Sequence, residues 1–214
     1  MASPALASPY IGSDLGEVTP GFQFHPSALN RIAQETLAAQ VFALAQDAPF
    51  HSPEVPGGRR MSVAITGLGP LSWTSDKSGY RYAERHPLTD RSWPSMPDIL
   101  LEIWRKFAPG APDPDACLVN LYRDGARMGL HQDRDEVDFS VPVVSISLGD
   151  TAVFRIGGPK RGDPTRSLKL SSGDVCVLSG EARMAFHGID RVLGRSSTVV
   201  PGGGRLNLTL RRAR

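Results

Sequence analysis

The second half of the chain, from Cys117 to the C-terminus, restricts the possible folds most. Its apolar residues come in short runs separated by Gly, Asp and Pro. Short runs with turn residues between them are typical of the strands of a β-sandwich or barrel. The runs are CLVNLY, VVSISL, AVFRI, SLKLSS, DVCVLS and RLNLTLRR.

The last of these runs alternates strictly between polar and apolar residues. Its leucines fall on one side of a strand and must face a core, whereas Arg205, Asn207 and Arg211 fall on the other side. Asn120 and Tyr122 alternate in the same way in an earlier run. The polar side could simply face solvent, or it could line a pocket for an acidic ligand. Arginine suits the second alternative, because its planar fork binds a carboxylate through two hydrogen bonds.

The first half of the chain is predicted to be helical at both ends, with a strand, MSVAIT, and a loop-rich region between the helices. The stretch 27–46 is predicted as a helix capped by Ser27, and Pro97 suits the first turn of a second helix. The region around Trp73 and Tyr80 is predicted as loop. The expected apolar stripe of the first helix is Leu29, Ile32, Leu37, Val41 and Leu44, and that of the second is Leu100, Ile103, Trp104 and Phe107.

These patterns predict one compact unit with three parts. Residues 1–25, rich in Ala, Pro, Gly and Ser, form a partly ordered arm. Residues 26–116 supply helical support and a lid, and residues 117–214 supply a β core. The expected fold class is therefore mostly β with N-terminal helices.

Composition excludes few classes of protein, but it indicates a cellular compartment. The formal charge of +2 does not by itself indicate a nucleic-acid-binding protein, and all but four of the 24 basic residues are arginine, a bias that genomic base composition also produces. Cys117 and Cys176 have no metal-binding spacing and make a poor disulfide framework, which favours a reducing compartment. With no signal-peptide pattern and no membrane-spanning stretch, we expect a cytoplasmic monomer.

A candidate metal site lies in the stretch GLHQDRDE. His131 and Asp133 are two residues apart at the end of a predicted strand, so both side chains leave the same face, and His187 in AFHGI is the third candidate. Two imidazoles and one carboxylate, with the remaining positions open, are the ligand set of non-haem Fe(II) oxygenases. Structural zinc sites instead close all four positions, usually with cysteine. A lone H-x-D pair also arises by chance, and His187 could be an ordinary core histidine.

The metal site and the arginine strand support each other. A 2-oxoacid with a second carboxylate would chelate iron at one end and require a buried cation at the other. Arginines on a strand downstream of His187 could supply that cation.

Four blocks of the sequence resemble the AlkB-type Fe(II)- and 2-oxoglutarate-dependent dioxygenases that repair alkylated nucleic-acid bases. The resemblance runs from about residue 55 to 212. It implies a double-stranded β-helix (jelly-roll) core with an N-terminal nucleotide-recognition lid. It also implies direct-reversal repair of alkylation damage, by oxidative demethylation of bases such as 1-methyladenine and 3-methylcytosine with release of formaldehyde and succinate. The blocks are NLYRDGARMGLHQDRDE, VVSISLGDTAVFRIGGPKR, GDVCVLSGEARMAFHGI and RLNLTLR.

The resemblance also assigns roles to individual residues, with Fe(II) as cofactor and 2-oxoglutarate and O2 as co-substrates. Arg205 is expected on the far carboxylate of 2-oxoglutarate and Arg211 nearer the metal. Trp73 is expected to stack the target base against His131. The full sets are His131, Asp133 and His187 for iron; Asn120, Tyr122, Arg205, Asn207 and Arg211 for 2-oxoglutarate; and Trp73, Tyr80, Met61, Asp135, Lys160 and Arg161 for the nucleic acid, with Asp135 on the exocyclic amine of the base.

Other functions remain open at this stage. An oxygenase of the same fold could act on a protein or a small molecule, and would keep the iron and 2-oxoglutarate residues without needing Trp73. A cupin-like binding module would need neither set. The expected partner is alkylated single-stranded DNA, with duplex DNA and RNA as open alternatives.

Overall fold

The structure is a computed structural model that describes residues 19–123 and 125–214. The described chain is mostly antiparallel strand, with both α-helices in its first half, which confirms the predicted fold class. The helices are α1 (Arg31–Leu44) and α2 (Asp98–Phe107), and a 3₁₀ turn covers Gly180–Met184. The strands are β1 (Phe22–His25), β2 (Ala64–Leu68), β3 (Ser72–Asp76), β4 (Gly79–Ala83), β5 (Ala116–Tyr122), β6 (Met128–His131), β7 (Val143–Gly149), β8 (Thr151–Ile156), β9 (Arg166–Leu170), β10 (Val175–Leu178), β11 (His187–Leu193) and β12 (Arg205–Arg211).

The strands form two sheets and a separate hairpin. The larger sheet has the order β1-β10-β7-β12-β5-β2, and the smaller has the order β6-β11-β8-β9. Apolar side chains of both sheets pack in one cluster that includes Leu118, Val143, Phe154 and Ile189, so the two sheets face each other. The hairpin β3–β4 pairs with neither sheet.

Strand β12 separates two environments. Its leucines pack with α1 and α2 on the outer face of the larger sheet and are fully buried, which stabilises the fold by about 1.5–3 kcal/mol per side chain. The polar side is buried as well, with Arg205 at 1% and Arg211 at 6% exposure. The alternative of a solvent-facing polar side is therefore excluded. The polar side chains point instead into the space between the two sheets.

The first helix differs from its prediction at its start. Asn30, not Ser27, is the N-cap: its side chain accepts a hydrogen bond from Ala33 N at 2.9 Å. Ser27 has a φ of 50° and lies before the helix, where its N–H donates to Asp174 Oδ1 at 2.8 Å. Leu37 and Val41 are buried as expected, but Ile32 is 75% exposed, so its assignment to the apolar stripe was wrong. The buried face predicted for the second helix is confirmed at each of its residues.

Two further predictions for the first half need correction. Phe22–His25, assigned to the N-terminal arm, forms strand β1 and pairs with β10 at the edge of the larger sheet. Residues 1–18 of the arm lie outside the described residues. The region of Trp73 and Tyr80 is the hairpin β3–β4 rather than loop, and MSVAIT enters a strand only at Ala64. Within the described part of the chain, neither α-helix has the length and apolarity needed to cross a membrane.

Candidate active site

The candidate metal ligands converge because two strands of the smaller sheet are in register. His131 ends β6 and lies directly opposite His187, the first residue of β11. Asp133 lies just beyond the end of β6 rather than on it, yet its carboxylate reaches both rings. Its Oδ1 is 3.8 Å from His131 Nε2 and its Oδ2 is 3.7 Å from His187 Nε2. The ligand atoms of the three side chains lie within 4.8 Å of one another.

Gly188 allows β11 to approach β6 closely beside this site. A Cβ at this position would lie 2.6 Å from the carbonyl oxygen of Met128 and 2.8 Å from that of Gly129, and backbone atoms cannot move aside cheaply. The glycine following His187 therefore serves the packing of the two strands that carry the imidazoles.

Both histidines present the correct nitrogen for a metal. His131 Nδ1 is 3.0 Å from the carbonyl oxygen of Gly129, and His187 Nδ1 is 3.0 Å from that of Ala185. A carbonyl oxygen can only accept, so each Nδ1 carries a proton, and each Nε2 is the ring nitrogen that lies near Asp133.

The charge states of the site also suit a cation. Burial, together with the neighbouring His131, lowers the pKa of His187 to about 4, so its ring is neutral at pH 7. Burial alone would raise the pKa of Asp133, but Arg211 and then the two histidines outweigh it and hold that pKa well below its usual range. A carboxylate and two imidazoles that present their Nε2 atoms to the same space are chemically suited to Fe(II).

Arg211 lies directly beside the candidate metal ligands. Its Nη2 is 2.8 Å from Asp133 Oδ1, and both side chains are almost fully buried. Burial would lower the pKa of the guanidinium, but Asp133, Tyr82 and Glu136 raise it. The Nε of Arg211 has no hydrogen-bond partner within the described chain and remains available for a ligand.

Arg205 is a buried cation whose environment supplies no acidic partner among the described residues. It packs over the ring of Tyr122, 5.1 Å from its centroid, and Nη2 donates to Ser147 Oγ at 3.0 Å. Its Nε and Nη1 have no partner among the described residues, and burial lowers its pKa. A buried guanidinium with two free donors is costly unless a ligand pairs with it, and a carboxylate would satisfy both donors.

Neutral polar side chains lie between these arginines. Together with the arginines they form what we call the arginine wall: Arg205, Arg211, Asn120, Tyr122 and Asn207. Strand β12 pairs with β5 so that Asn207 lies opposite Asn120 and Arg205 opposite Tyr122. Asn120 Nδ2 donates to Asn207 Oδ1 at 3.4 Å, and Asn207 Nδ2 donates to Ser145 Oγ at 2.8 Å. The side-chain oxygen of Asn120 lacks a partner within the described chain. Both asparagines and the tyrosine line the same cavity as the arginines.

This cavity has a volume of about 520 Å³ and runs from the arginine wall past the candidate metal ligands to the hairpin β3–β4. At its mouth Trp73 stacks on Tyr80, with ring centroids 5.4 Å apart, and Trp73 Nε1 donates to Asp135 Oδ2 at 2.7 Å. Met61 also lines the mouth.

Of the two basic residues predicted to contact phosphate, Arg161 lies at the edge of the cavity and Lys160 does not. Arg161 lines the cavity, packs on the ring of Phe186 and donates to the carbonyl oxygen of Leu130 at 2.9 Å. Lys160 is exposed beside it and does not line the cavity. The structure therefore brings together every predicted site residue except Lys160.

Sequence reasoning missed several polar residues around this site. Ser145 and Ser147 on β7 hold the side chains of β12, and their alternation in VVSISL was a usable signal. Glu136, one residue after Asp135, is 6% exposed and buried against Arg183 and Arg211. No local pattern could have indicated this, because Arg183 lies far away in the sequence.

The fold and the site together define a class of protein. Two antiparallel sheets enclose a cavity with a two-histidine, one-carboxylate cluster, and the unpaired donors of the buried arginines fit a small dicarboxylate beside it. These are the requirements of an iron-dependent oxygenase with a 2-oxoacid co-substrate.

Comparison with known proteins identifies the family. Residues 21–211 match the 2OG-Fe(II) oxygenase superfamily. The chain is 62% identical over 197 residues to an alpha-ketoglutarate-dependent dioxygenase AlkB homolog of Caulobacter vibrioides, covering 92% of this chain and 90% of the relative. It is 43% identical over 185 residues to the alpha-ketoglutarate-dependent dioxygenase AlkB of Escherichia coli, covering 85% of each. The chain therefore belongs to the AlkB-type dioxygenases of the 2OG-Fe(II) oxygenase superfamily.

The solved structures agree. The structure of OsALKBH1 matches with a TM-score of 0.74 and 30% identity over 90% of this chain and 98% of that chain. The protein is a 2-oxoglutarate-dependent dioxygenase whose cofactor is iron(II), with 2-oxoglutarate and O2 as co-substrates, as the sequence predicted.

Proposed function

We propose that this enzyme oxidatively demethylates N-alkylated bases, such as 1-methyladenine and 3-methylcytosine, in nucleic acid. The observation that supports this proposal most is the single cavity in which the candidate iron ligands have a dicarboxylate-binding wall on one side and an aromatic mouth on the other. Its reaction would reverse alkylation damage directly, with release of formaldehyde and succinate.

The residues that would hold the iron are His131, Asp133 and His187. Once bound, the iron would supply the oxidising chemistry, in which O2 and 2-oxoglutarate are consumed and succinate and carbon dioxide are released. The neutral ring of His187 and the ionised carboxylate of Asp133 are already in the protonation states that such binding requires.

The residues that would hold 2-oxoglutarate are those of the arginine wall. Arg205, with two free donors, would bind the far carboxylate, and Arg211 would lie at the end near the iron. Asn120, Tyr122 and Asn207 would add neutral contacts between them. This arrangement orients the co-substrate and excludes water from the reacting end.

The mouth would receive the base. A methylated base cannot be reached inside a duplex, so it must be single-stranded or turned out of the stack. Trp73, supported by Tyr80, would offer one aromatic face, and the partly exposed ring of His131 would offer the opposite face. The carboxylate of Asp135 would favour the exocyclic amine and the positive charge of the lesion, while Met61, Lys160 and Arg161 would contact the nucleotide and its phosphates.

The finer architecture is also part of this proposal. We infer that the two facing sheets are the double-stranded β-helix of residues 117–214 and that residues 26–116 supply helical support and a nucleotide-recognition lid. Strands β1 and β2 contribute to the larger sheet from outside the proposed core, which supports one compact unit.

We further propose that the enzyme is a monomer that prefers alkylated single-stranded DNA. A short aromatic ribbon with few cations suits a single flexible strand better than a long duplex footprint. Both cysteines are buried free thiols, which supports the proposed cytoplasmic location.

The test uses a single-stranded oligonucleotide that carries one 1-methyladenine. The protein, Fe(II), 2-oxoglutarate and air are expected to remove the mass of one methylene group, measured by mass spectrometry, and His131→Ala is expected to remove none. If the oligonucleotide stays methylated while succinate still forms, the enzyme acts on another substrate. An oxygenase acting on protein or a small molecule is disfavoured because it would have no use for the Trp73–Tyr80 mouth.

A further inference from the structure

Arg183, which has no role in the reaction proposed above, is one of the most deeply buried side chains of the described chain. It lies in the 3₁₀ turn Gly180–Met184, just upstream of His187, and its side chain is 2% exposed. A buried guanidinium requires both acceptors for its donors and an opposite charge, because an unpaired buried charge is strongly destabilising.

Each partner of Arg183 belongs to the segment that follows β6. Its Nη1 donates to the backbone carbonyl of Asp133 at 2.5 Å, and its Nε donates to the carbonyl of Val141 at 3.2 Å. Its Nη2 donates to Glu136 Oε2 at 2.8 Å. Arg183 therefore ties the segment that carries one candidate iron ligand to the turn that precedes another.

Glu136 extends this contact to Arg211 in the arginine wall. Its side chain is 1% exposed, and Oε1 lies 3.3 Å from Arg211 Nη1 and accepts a hydrogen bond from the hydroxyl of Tyr82. Arg211 Nη2 in turn lies 2.8 Å from Asp133 Oδ1. The contacts form a closed ring from the Asp133 carbonyl through Arg183, Glu136 and Arg211 back to the Asp133 carboxylate.

This ring leaves one nitrogen atom of Arg211, Nε, without a partner among the described residues. Both terminal nitrogens have partners, whereas Nε has none within the described chain and the side chain lines the cavity. The positive charges of the two guanidinium groups equal in number the negative charges of the two carboxylates in the ring. Without Glu136, Arg211 would keep Asp133 as its charged partner and the Tyr82 hydroxyl as a neutral one, and Nη1 would lose its charge-assisted bond.

We propose, on the basis of the function proposed above, that Arg183 and Glu136 are positioning residues for 2-oxoglutarate. They hold the guanidinium of Arg211 and the carboxylate of Asp133 in one fixed relation, so that co-substrate and metal are bound side by side. Neither residue touches the reacting atoms. Their loss should weaken 2-oxoglutarate binding even where the iron ligands and the fold persist.

The experiment measures the dissociation constant of 2-oxoglutarate on Mn(II)-loaded protein by calorimetry, without turnover. Arg183→Lys keeps the charge but not the three-way fork, and Glu136→Gln keeps the shape but not the charge. Each is expected to raise the dissociation constant about tenfold, the effect of losing one charge-assisted hydrogen bond. Arg191→Lys, at an exposed arginine of β11, is the matched control and should stay within about twofold.

A second variant covers the case in which the single substitutions unfold the protein. Arg183→Met with Glu136→Leu removes both buried charges at once, which is often neutral or stabilising. We expect this pair to fold, as judged by its thermal midpoint, and still to bind 2-oxoglutarate about tenfold more weakly than the parent. Parent-like affinity in this pair would show that the ring serves stability alone and would overturn the positioning role.

The same titration separates this inference from the function on which it rests. A parent protein that binds Mn(II) but no 2-oxoglutarate overturns the proposed assignment of the arginine wall, and the positioning role with it. A parent that binds 2-oxoglutarate while every folded variant binds equally well overturns the positioning role alone.

Discussion

The polar side chains of β12 and the aromatic side chains of the β3–β4 hairpin line one cavity, but different structures hold them. Strand β12 is paired on both edges, with β5 and β7, and all of its residues are buried. The hairpin pairs only with itself, and Tyr80 at its surface is 52% exposed. The side chains proposed to serve the chemistry therefore have their directions fixed by sheet register, whereas those proposed to select the substrate lie on a ribbon held by side-chain contacts.

This difference implies that substitutions in the arginine wall and substitutions at the mouth of the cavity should impair different activities. Substitutions in the wall or among the iron ligands should impair every reaction, including turnover of 2-oxoglutarate without nucleic acid. Substitutions in the mouth should affect only reactions that involve a base.

Removing an iron ligand should have the largest effect. In His187→Ala the remaining two side chains cannot hold a metal firmly, and we expect activity to fall more than about a hundredfold both with and without an oligonucleotide. Iron content of the purified protein and succinate formation are the measurements. Full iron occupancy with unchanged succinate formation would show that His187 is not a ligand.

Arg205→Lys should have the next largest effect and should act on 2-oxoglutarate alone. Lysine keeps the charge but cannot fork onto a carboxylate, so the KM for 2-oxoglutarate should rise about tenfold or more. The KM for the oligonucleotide should not change. Steady-state kinetics with each substrate varied in turn distinguish the two, and equal changes in both KM values would argue against a distinct co-substrate wall.

Trp73→Ala should affect the mouth alone. Stacking on a base contributes about 1–3 kcal/mol, so oligonucleotide affinity should fall about five- to a hundredfold while succinate formation without nucleic acid is retained. Fluorescence anisotropy and succinate assays give the two values. Loss of both together would mean that the hairpin also supports the wall.

Asp135→Asn should have the smallest effect. The amide oxygen can still accept the hydrogen bond from Trp73 Nε1, so the substitution removes charge with little change of shape. We expect the preference for a positively charged lesion over a neutral one to fall about fivefold, as removal of one nearby solvated charge implies. Equal rates for the parent and the variant on both lesion types would exclude an electrostatic role for Asp135.

The same contrast explains which features could be predicted from the sequence. Strand periodicity is local, so the alternation in RLNLTLRR placed Arg205 and Arg211 on one face without knowledge of their neighbours. The prediction of loop for the hairpin is wrong because β3, SWTSD, is mostly polar, and the alternation in β4 is limited to Tyr80, Arg81 and Tyr82. The cap of α1 was misplaced because Ser27 and Asn30 are both capable caps, and the tertiary bond from Ser27 N to Asp174 decides between them.

Features that depend on contacts between distant parts of the chain could not be predicted from the sequence. Glu136 follows Asp135 and looks like part of an exposed acidic pair, yet it is buried by Arg183 and Arg211 from distant parts of the chain. The direction in which its side chain points depends on how β12 and the 3₁₀ turn pack against the segment after β6. Neither composition nor spacing contains that information.

The most direct test of the account compares two products in one reaction. With a 1-methyladenine oligonucleotide, Fe(II), 2-oxoglutarate and O2, one cavity that binds co-substrate and base together should release succinate and formaldehyde in equal amounts. Omission of the oligonucleotide should lower succinate formation and abolish formaldehyde. Succinate formed at an unchanged rate, with no formaldehyde in the presence of the methylated base, would contradict the claim that the wall and the mouth serve one reaction.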